Sequence, residues 1–206
     1  MLALDLDDTL LDLKSAIISF NNEFFGVKIT PEEYSGHWLN TKWTQKYNSK
    51  QEFKRVIDHE WWVHAKQQNL YSSLRAMSGS AEVLEKLQKR GASLLAITAR
   101  PKSLQNETMT CLEREYPKLK FQDVVFLGER GFGFAKGQTV RELGAHALVD
   151  DVLGNAMSAV EHGMPSLLFG NAPDIEDAAA NETIGLYRAK TWPKAKPILM
   201  KMLNLD

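Results

Sequence analysis

The sequence has little cysteine, no surplus of basic residues and no long hydrophobic run, and each absence argues against a class of protein. A single cysteine, Cys111, among 206 residues rules out an intrachain disulfide framework and suits a reducing compartment. The formal net charge is −1, whereas proteins that bind nucleic acid polymers usually carry a basic surplus. No apolar run approaches the length that crosses a membrane, and the acidic N-terminus is unlike a basic signal peptide. We therefore predict a cytoplasmic protein whose partners are neither nucleic acid polymers nor membranes.

Short apolar runs alternate with helical patterns from residue 78 onward. The predicted strands are 92–97, 123–127, 145–149 and 166–169, and the apolar run at 2–6 adds a fifth. The predicted helices are 80–91, with Ser80 as N-cap, 103–116, 136–144 and 155–163. Near-continuous apolar strands separated by helices indicate an α/β fold, a Rossmann-like parallel five-stranded sheet with helices on both faces.

Residues 13–76 interrupt this alternation because they are polar, rich in aromatic residues and poor in strand patterns. The sequence predicts helices at 15–26 and 50–68, and a helix start at Thr30 and Pro31. So long an insertion is unusual as a simple connection, and long insertions are commonly functional lids. We expect a small α-helical cap at 13–76, inserted into a core domain of residues 1–12 and 77–206.

Polar side chains follow four of the five predicted strands, at the point where each strand ends. In chain order they are Asp5, Asp7 and Thr9, then Thr98, Ala99 and Arg100, then Lys136 after a glycine-rich loop, then Asp150, Asp151 and Asn155. Ligands of open parallel sheets bind at the carboxyl ends of the strands, near the point where strand order reverses. We therefore predict that these groups converge on one site.

The chemistry of this set favours phosphoryl transfer. Clustered carboxylates raise each other's pKa unless a cation lies among them, and a few oxygen ligands with open positions suit Mg²⁺ bridging to a phosphate. One carboxylate can attack phosphorus and form an aspartyl-phosphate, while another protonates the leaving oxygen and later activates water. A hydroxyl and a lysine can bind the phosphoryl oxygens.

The four strand ends resemble, in the same order, the motifs of the haloacid dehalogenase (HAD) superfamily of phosphotransferases. The stretch DLDDT at 5–9 matches its Asp-x-Asp-x-Thr motif, and Thr98 matches the Ser or Thr of the second. Lys136 matches the third motif and the pair Asp150–Asp151 the fourth. The superfamily places its helical C1-type cap between the first two motifs, where residues 13–76 lie.

Within the superfamily, the chain is most similar to the C-type 5′(3′)-deoxyribonucleotidases. The stretch TARP at 98–101, the acidic pair and Trp192 carry this similarity. Val152 departs from it, because a basic residue often follows the acidic pair in that group.

The resemblance implies a role for each matched residue. Asp5 would be the nucleophile, and Asp7 the acid and base, which favours phosphatases because dehalogenases of this superfamily lack that acid. The expected phosphate-binding residues are Thr98, Ala99 and Lys136. The expected Mg²⁺ ligands are Asp5, Asp7 through its backbone carbonyl, and the pair Asp150 and Asp151. Of that pair, Asp151 is the favoured direct ligand, with Asn155 as a helper.

Several of the residues near these motifs also allow a simpler interpretation, as solvated or packing residues. Asp8 is expected to be a solvated turn residue, because strand alternation points it away from its neighbours. Arg100 can contact phosphate or simply be solvated, and the sequence favours neither. Trp61 and Trp62 can stack on a substrate nucleobase or fill the core of the cap, and one of the two is expected at the site or exposed.

The function that we predict is a Mg²⁺-dependent phosphomonoesterase that acts through an aspartyl-phosphate on a small phosphorylated metabolite. A (deoxy)nucleoside monophosphate is the favoured substrate, and a sugar phosphate or other non-nucleotide metabolite is the alternative. A phospho-receiver signalling domain is the rival of another class, because it also combines acids, a hydroxyl and a lysine on a parallel sheet. Motif order argues against it, since here the acidic pair follows the lysine.

Overall fold

The computed structural model describes residues 1–26, 28–31, 62–128, 136–170 and 184–205. The strands are β1 (Leu2–Asp5), β2 (Leu94–Thr98), β3 (Phe121–Phe126), β4 (Ala147–Asp150), β5 (Ser166–Phe169) and β6 (Leu186–Ala189). The helices are α1 (Leu13–Phe25), α2 (Trp62–Gln67), α3 (Ser80–Lys89), α4 (Gln105–Glu115), α5 (Lys136–Glu142), α6 (Leu153–Glu161) and α7 (Trp192–Met202). A short 3₁₀ turn, Lys102–Leu104, precedes α4.

All the strands are parallel, in the order β3-β2-β1-β4-β5-β6. Strand order reverses beside β1, whose neighbours are β2 and β4, so the carboxyl ends of these three strands form the expected crevice. In the register, Asp5 pairs with Ile97 of β2 and Leu4 with Val149 of β4. The predicted α/β fold with a parallel sheet is confirmed.

Within the described residues the sheet has six strands rather than the predicted five, and β6 is the strand that the sequence did not reveal. This strand has four residues, and it includes Tyr187 and Arg188, which are only partly buried. A short strand at a sheet edge needs neither a continuous apolar run nor strict alternation, so its pattern is weak.

Both faces of the sheet are covered, as the near-continuous apolar strands require. Leu2 and Leu4 of β1 join the larger apolar cluster, which includes residues of α1, α3, α4 and α7. Ala3 points to the other face, where it packs with residues of α5 and α6 such as Val140 and Ala159. The strands are therefore held from both sides, which fixes the positions of their carboxyl ends.

Two helix starts differ from the sequence expectation. Ser80 does not cap α3: the N-cap is Gly79, and Ser80 is the first helical residue. The buried Ser80 hydroxyl lies 2.6 Å from the Met77 carbonyl and 2.8 Å from the Tyr116 hydroxyl, so tertiary partners use it instead. Helix α1 begins at Leu13, before the predicted start, because the Asp12 carboxylate accepts the Ser15 amide as an N-cap.

In the described part of the segment 13–76 lie the helices α1 and α2, and the helix start predicted at Thr30 and Pro31 leads into residues outside that part. Apolar side chains of this segment, Ile17 and Leu74 among them, belong to the larger cluster of the sheet domain. The division into core and cap remains a proposal. No helix of the described residues is long and apolar enough to cross a membrane.

Candidate active site

The loop after β1 turns back sharply and carries the first acidic motif. The amides of Leu10 and Leu11 both donate to the Leu6 carbonyl, at 2.9 and 2.8 Å. Asp8 has a positive φ of 57°, a conformation that acidic and amide side chains adopt more readily than most. From the C-terminal helix, the buried indole of Trp192 donates to the Thr9 carbonyl at 3.0 Å and holds the loop in place.

Asp8 is a turn residue, but the prediction that it is solvated is wrong. Its carboxylate accepts the Lys14 amide at 2.6 Å, and the side chain is partly buried at the wall of the site. Burial raises the pKa of Asp8 to about 6. Alternation along a strand did not predict this orientation, because β1 ends at Asp5 and the chain at Asp8 has a left-handed backbone.

Lys136 lies between the acids of two neighbouring strands. Its Nζ donates to Oδ1 of Asp5 and, at 2.9 Å, to Oδ2 of Asp150. All three residues are buried, with exposures of 0–4%. Burial alone would lower the pKa of Lys136, but the charges of Asp150 and Asp5 outweigh it and raise the pKa. The lysine therefore stays charged and links β1 to β4.

The two acids of the fourth motif have different surroundings. Asp150 accepts hydrogen bonds from Lys136, from the Val152 amide at 2.9 Å and from Asn155 Nδ2 at 3.1 Å. Asp151 is less buried than Asp150 and lines the cavity. Asn155 therefore donates to the carboxylate of Asp150 and helps to fix its orientation.

Carboxylate oxygens of Asp5, Asp150 and Asp151 lie within 4.8 Å of one another. Burial, more than any neighbouring charge, raises the pKa of Asp5 and of Asp151, and repulsion among the acids adds to it, while Lys136 opposes it. Such a cluster of hard oxygen donors with one lysine gains from a further cation, so the donor set fits a divalent metal ion.

A cavity of about 250 Å³ opens over these acids at the carboxyl ends of β1, β2 and β4. Its lining residues are Asp5, Asp7, Asp8, Leu13, Lys14, Ile17, Ala99, Lys136, Asp151, Val152 and Asn155. Thr98 is fully buried just behind this surface, and its hydroxyl accepts the Arg100 amide at 3.1 Å. A larger groove of about 510 Å³ runs between α4 and β3, but the acidic cluster lies in the smaller cavity.

Arg100 is not among the residues that line this cavity, and the interpretation that it is solvated is wrong. It is 4% exposed, and its guanidinium binds the carboxylate of Asp7 through Nε and Nη2. Burial alone would lower the pKa of Arg100, but Asp7 outweighs it and raises the pKa. The sequence offered no spacing signal for this pair, because the two residues are 93 positions apart.

The structure brings together most of the residues that the sequence singled out. Those at the cavity are Asp5, Asp7, Ala99, Lys136, Asp151 and Asn155, while Thr98 and Asp150 are fully buried and do not line it. Trp61 lies outside the described residues, and Trp62 is the first residue of α2, with a side chain that is also outside them.

Comparison with known proteins identifies the family. Residues 1–203 match the family described as 5′ nucleotidase, deoxy (pyrimidine), cytosolic type C protein, NT5C. A search of curated protein sequences found no match.

Solved structures with low sequence identity share the fold over nearly the whole chain. A haloacid dehalogenase-like family hydrolase from Streptococcus pneumoniae is 14% identical, with 96% of this chain and 97% of that chain covered and a TM-score of 0.68. A predicted phosphatase from Clostridium acetobutylicum is 17% identical, with 97% of each chain covered and a TM-score of 0.68. A HAD family hydrolase from Deinococcus radiodurans, crystallised with phosphate and sodium, is 13% identical, with 99% and 96% covered and a TM-score of 0.65.

The family match spans both acidic motifs and the C-terminal helix, and these solved structures share the fold of this chain. The chain therefore belongs to the cytosolic type C 5′-nucleotidase family (NT5C), and it is an enzyme of the phosphatase class whose fold is shared with HAD-family hydrolases.

Proposed function

We propose that the protein is a Mg²⁺-dependent phosphomonoesterase that forms an aspartyl-phosphate on Asp5. The observation that carries this proposal is the contact of Lys136 with Asp5 and Asp150 at the floor of the cavity. This contact brings together the proposed nucleophile Asp5, a lysine that can bind phosphoryl oxygens, and the acidic cluster. Phosphoryl transfer needs these three kinds of group close together.

In the first step, a carboxylate oxygen of Asp5 bonds to phosphorus while the bond from phosphorus to the ester oxygen breaks. Asp7 gives its proton to that oxygen, and the alcohol leaves. In the second step, the Asp7 carboxylate takes a proton from water, and the water oxygen bonds to phosphorus. The bond between phosphorus and Asp5 then breaks, which releases phosphate and restores Asp5. Lys136 and the amide of Ala99 would stabilise the phosphoryl oxygens in both steps.

The metal site would be formed by Asp5, Asp151 and the backbone carbonyl of Asp7. We assign the direct contact to Asp151 rather than Asp150, because Asp150 already accepts from Lys136, Val152 and Asn155. Mg²⁺ would supply positive charge that neutralises the acids and the bound phosphate. The name of the family and the Deinococcus structure with bound phosphate support a phosphate ligand here.

The substrate that we favour is a (deoxy)nucleoside monophosphate, as the name of the family suggests. The segment 13–76 would act as a cap that closes over the cavity, and Trp61 or Trp62 would contact the base. The word cytosolic in the family name supports the predicted cytoplasmic location. A sugar phosphate is the alternative substrate.

The test is phosphate release from a panel of esters, with and without Mg²⁺. The panel contains nucleoside 5′- and 3′-monophosphates, their deoxy forms and sugar phosphates, and it compares the wild type with Asp5→Asn. Asp123→Asn is the matched control, because this exposed aspartate lies on β3 outside the cavity. We expect Mg²⁺-dependent release that Asp5→Asn abolishes and Asp123→Asn leaves unchanged.

Two results would decide against parts of the proposal. Release that continues in Asp5→Asn would exclude the covalent step. Release confined to sugar phosphates would keep the phosphatase and reject the nucleotide substrate.

A further inference from the structure

Arg100 is a buried cation that the steps above do not use, and it is bound to the proposed acid and base. Its Nε lies 3.0 Å from Oδ2 and 3.2 Å from Oδ1 of Asp7, and its Nη2 lies 2.5 Å from Oδ1. The arginine side chain is 3% exposed, whereas that of Asp7 is 25% exposed and lines the cavity. One end of this pair is thus fixed in the protein, and the other faces the cavity.

The guanidinium of Arg100 is itself held from two further sides. Its Nη1 donates to the buried hydroxyl of Thr108 on α4 at 2.9 Å. The ring of Tyr71 lies against it, with 5.0 Å from the ring centroid to Cζ, and a cation over an aromatic face is attracted to it. Three elements of the fold therefore determine where this planar group lies.

The backbone of Arg100 is fixed as well. Its amide donates to the Thr98 hydroxyl at 3.1 Å, and its carbonyl accepts the Gly128 amide at 3.1 Å. A side chain at Gly128 would bring its Cβ within 2.6 Å of the Arg100 carbonyl carbon, so this approach requires glycine. The backbone of Arg100 is thus held by Thr98 at the end of β2 and by Gly128, which follows β3.

We propose that Arg100 is a positioning residue that holds the Asp7 carboxylate in the orientation from which it transfers protons. This inference rests on the proposed function, in which Asp7 is the acid and base. A planar guanidinium that binds a carboxylate through two nitrogens fixes both direction and rotation, which an ammonium cannot do. Direct binding of phosphate is not its role, because Nε, Nη2 and Nη1 already contact Asp7 and Thr108 and the residue does not line the cavity.

The choice of leaving group separates this role from a merely structural one. A p-nitrophenolate leaves without a proton, whereas the alkoxide of a nucleoside or sugar needs one from Asp7. The ratio kcat/KM reports the first step, transfer of the phosphoryl group to Asp5. A variant that displaces the Asp7 carboxylate must therefore lower kcat/KM for alkyl esters and leave kcat/KM for p-nitrophenyl phosphate nearly unchanged.

The experiment measures kcat/KM of Arg100→Lys for a nucleoside 5′-monophosphate and for p-nitrophenyl phosphate. General acid catalysis contributes about 10²–10⁴-fold, so we expect a fall of at least about tenfold for the alkyl ester. For p-nitrophenyl phosphate we expect a change within about twofold. Arg114→Lys is the matched control, because its guanidinium also braces the segment around Tyr71, through Ser72 and Leu74, away from Asp7.

A double-mutant cycle tests whether the effect passes through Asp7. In an Asp7→Asn background, Arg100→Lys should lower the rate with the alkyl ester no further, since coupled residues are not additive. Thr108→Val, which removes only the partner of Nη1, should show the same preference for p-nitrophenyl phosphate to a smaller degree. This milder variant provides the answer if Arg100→Lys does not fold.

Each remaining outcome counts against the inference. Equal losses for both esters, additive losses in the Asp7→Asn background, or unchanged rates in an active enzyme would each overturn the role of Arg100 alone. A rise in rate would mean that Arg100 restrains Asp7 instead. A wild type that hydrolyses neither ester would overturn the proposed function, and this inference with it.

Discussion

At the residue scale, Lys136 determines the electrostatics of the site. It is the lysine that separates the buried carboxylates of Asp5 and Asp150, and its pKa is raised by them. Removing one partner of a buried ion pair leaves uncompensated charge, which costs more than the pair itself contributes. The residue therefore stabilises the fold through the contacts that, in the proposed function, hold its ammonium ready for phosphate.

We predict that Lys136→Met lowers the free energy of unfolding by about 3 kcal/mol and abolishes phosphatase activity. Urea unfolding in the presence of a metal chelator measures the first effect, and phosphate release measures the second. Lys120→Met is the control, because that lysine is exposed and distant from the cavity. Unchanged stability of Lys136→Met would show that the carboxylates do not need this lysine.

At the element scale, the position of Lys136 depends on how closely α5 approaches α6. A Cβ at Gly137 would lie 2.3 Å from the carbonyl carbon of Ser158, which is closer than atoms can approach. Any larger residue must push α5 away from α6 and carry Lys136 with it. Gly154, on α6, has no atoms within 4 Å of such a Cβ.

We predict that Gly137→Ala lowers the free energy of unfolding by about 2 kcal/mol, because overpacking forces the backbone to shift. It should also lower kcat/KM by at least about tenfold, since small displacements of catalytic groups are costly. The paired control Gly154→Ala should be neutral or stabilising by up to about 1 kcal/mol, because alanine favours a helix. Thermal unfolding and steady-state kinetics of both variants give the answer, and similar behaviour of the two would contradict the account.

A second contact between elements of the fold joins helix α4 to the segment that leads into helix α3. The Glu115 carboxylate accepts the Ala76 amide at 2.8 Å and binds the guanidinium groups of Arg114 and Arg75. Partial burial alone would raise the pKa of Glu115, but these hydrogen bonds outweigh it and lower the pKa. A lowered pKa in the folded state means that the stabilisation is present above the ordinary value of about 4.3 and is lost below it.

We therefore predict that Glu115→Gln is less stable than the wild type by about 1 kcal/mol at neutral pH. The difference should shrink as pH falls through the lowered pKa, where the wild-type carboxylate becomes protonated. Unfolding free energies measured across the acidic range test this prediction. The exposed Glu113 on the same helix provides the control, and a difference that persists at low pH would contradict the assignment.

At the scale of the whole molecule, the sequence predicted the interior better than the edges and turns. Four strands of the central region were visible as apolar runs, because a strand that is buried on both faces consists almost entirely of apolar residues. Strand β6 was missed, since a four-residue edge strand with Arg188 carries no such signal. The four motifs converge as predicted because parallel strands deliver their ends to one edge of the sheet.

Contacts that depend on tertiary neighbours could not be predicted in this way. The bond between Arg100 and Asp7 joins residues 93 positions apart, and the bond from Trp192 to Thr9 joins residues 183 apart. Asp8 was assigned to solvent because the strand period was extended past the end of β1. In each case, the surroundings of the side chain depend on partners far along the chain or on a change in backbone conformation. The pattern of neighbouring residues in the sequence contains no information about either.

Rapid acid quenching tests most directly whether Asp5 carries the phosphoryl group during turnover. The wild type, mixed with its best substrate and Mg²⁺, is quenched within one turnover and its peptides are analysed by mass spectrometry. We predict a phosphoryl group on the peptide that contains Asp5, which disappears as phosphate is released and is absent from Asp5→Asn. Phosphate release without any such adduct, at an undiminished rate in Asp5→Asn, would contradict it. An adduct that persists without release would instead favour a phospho-receiver.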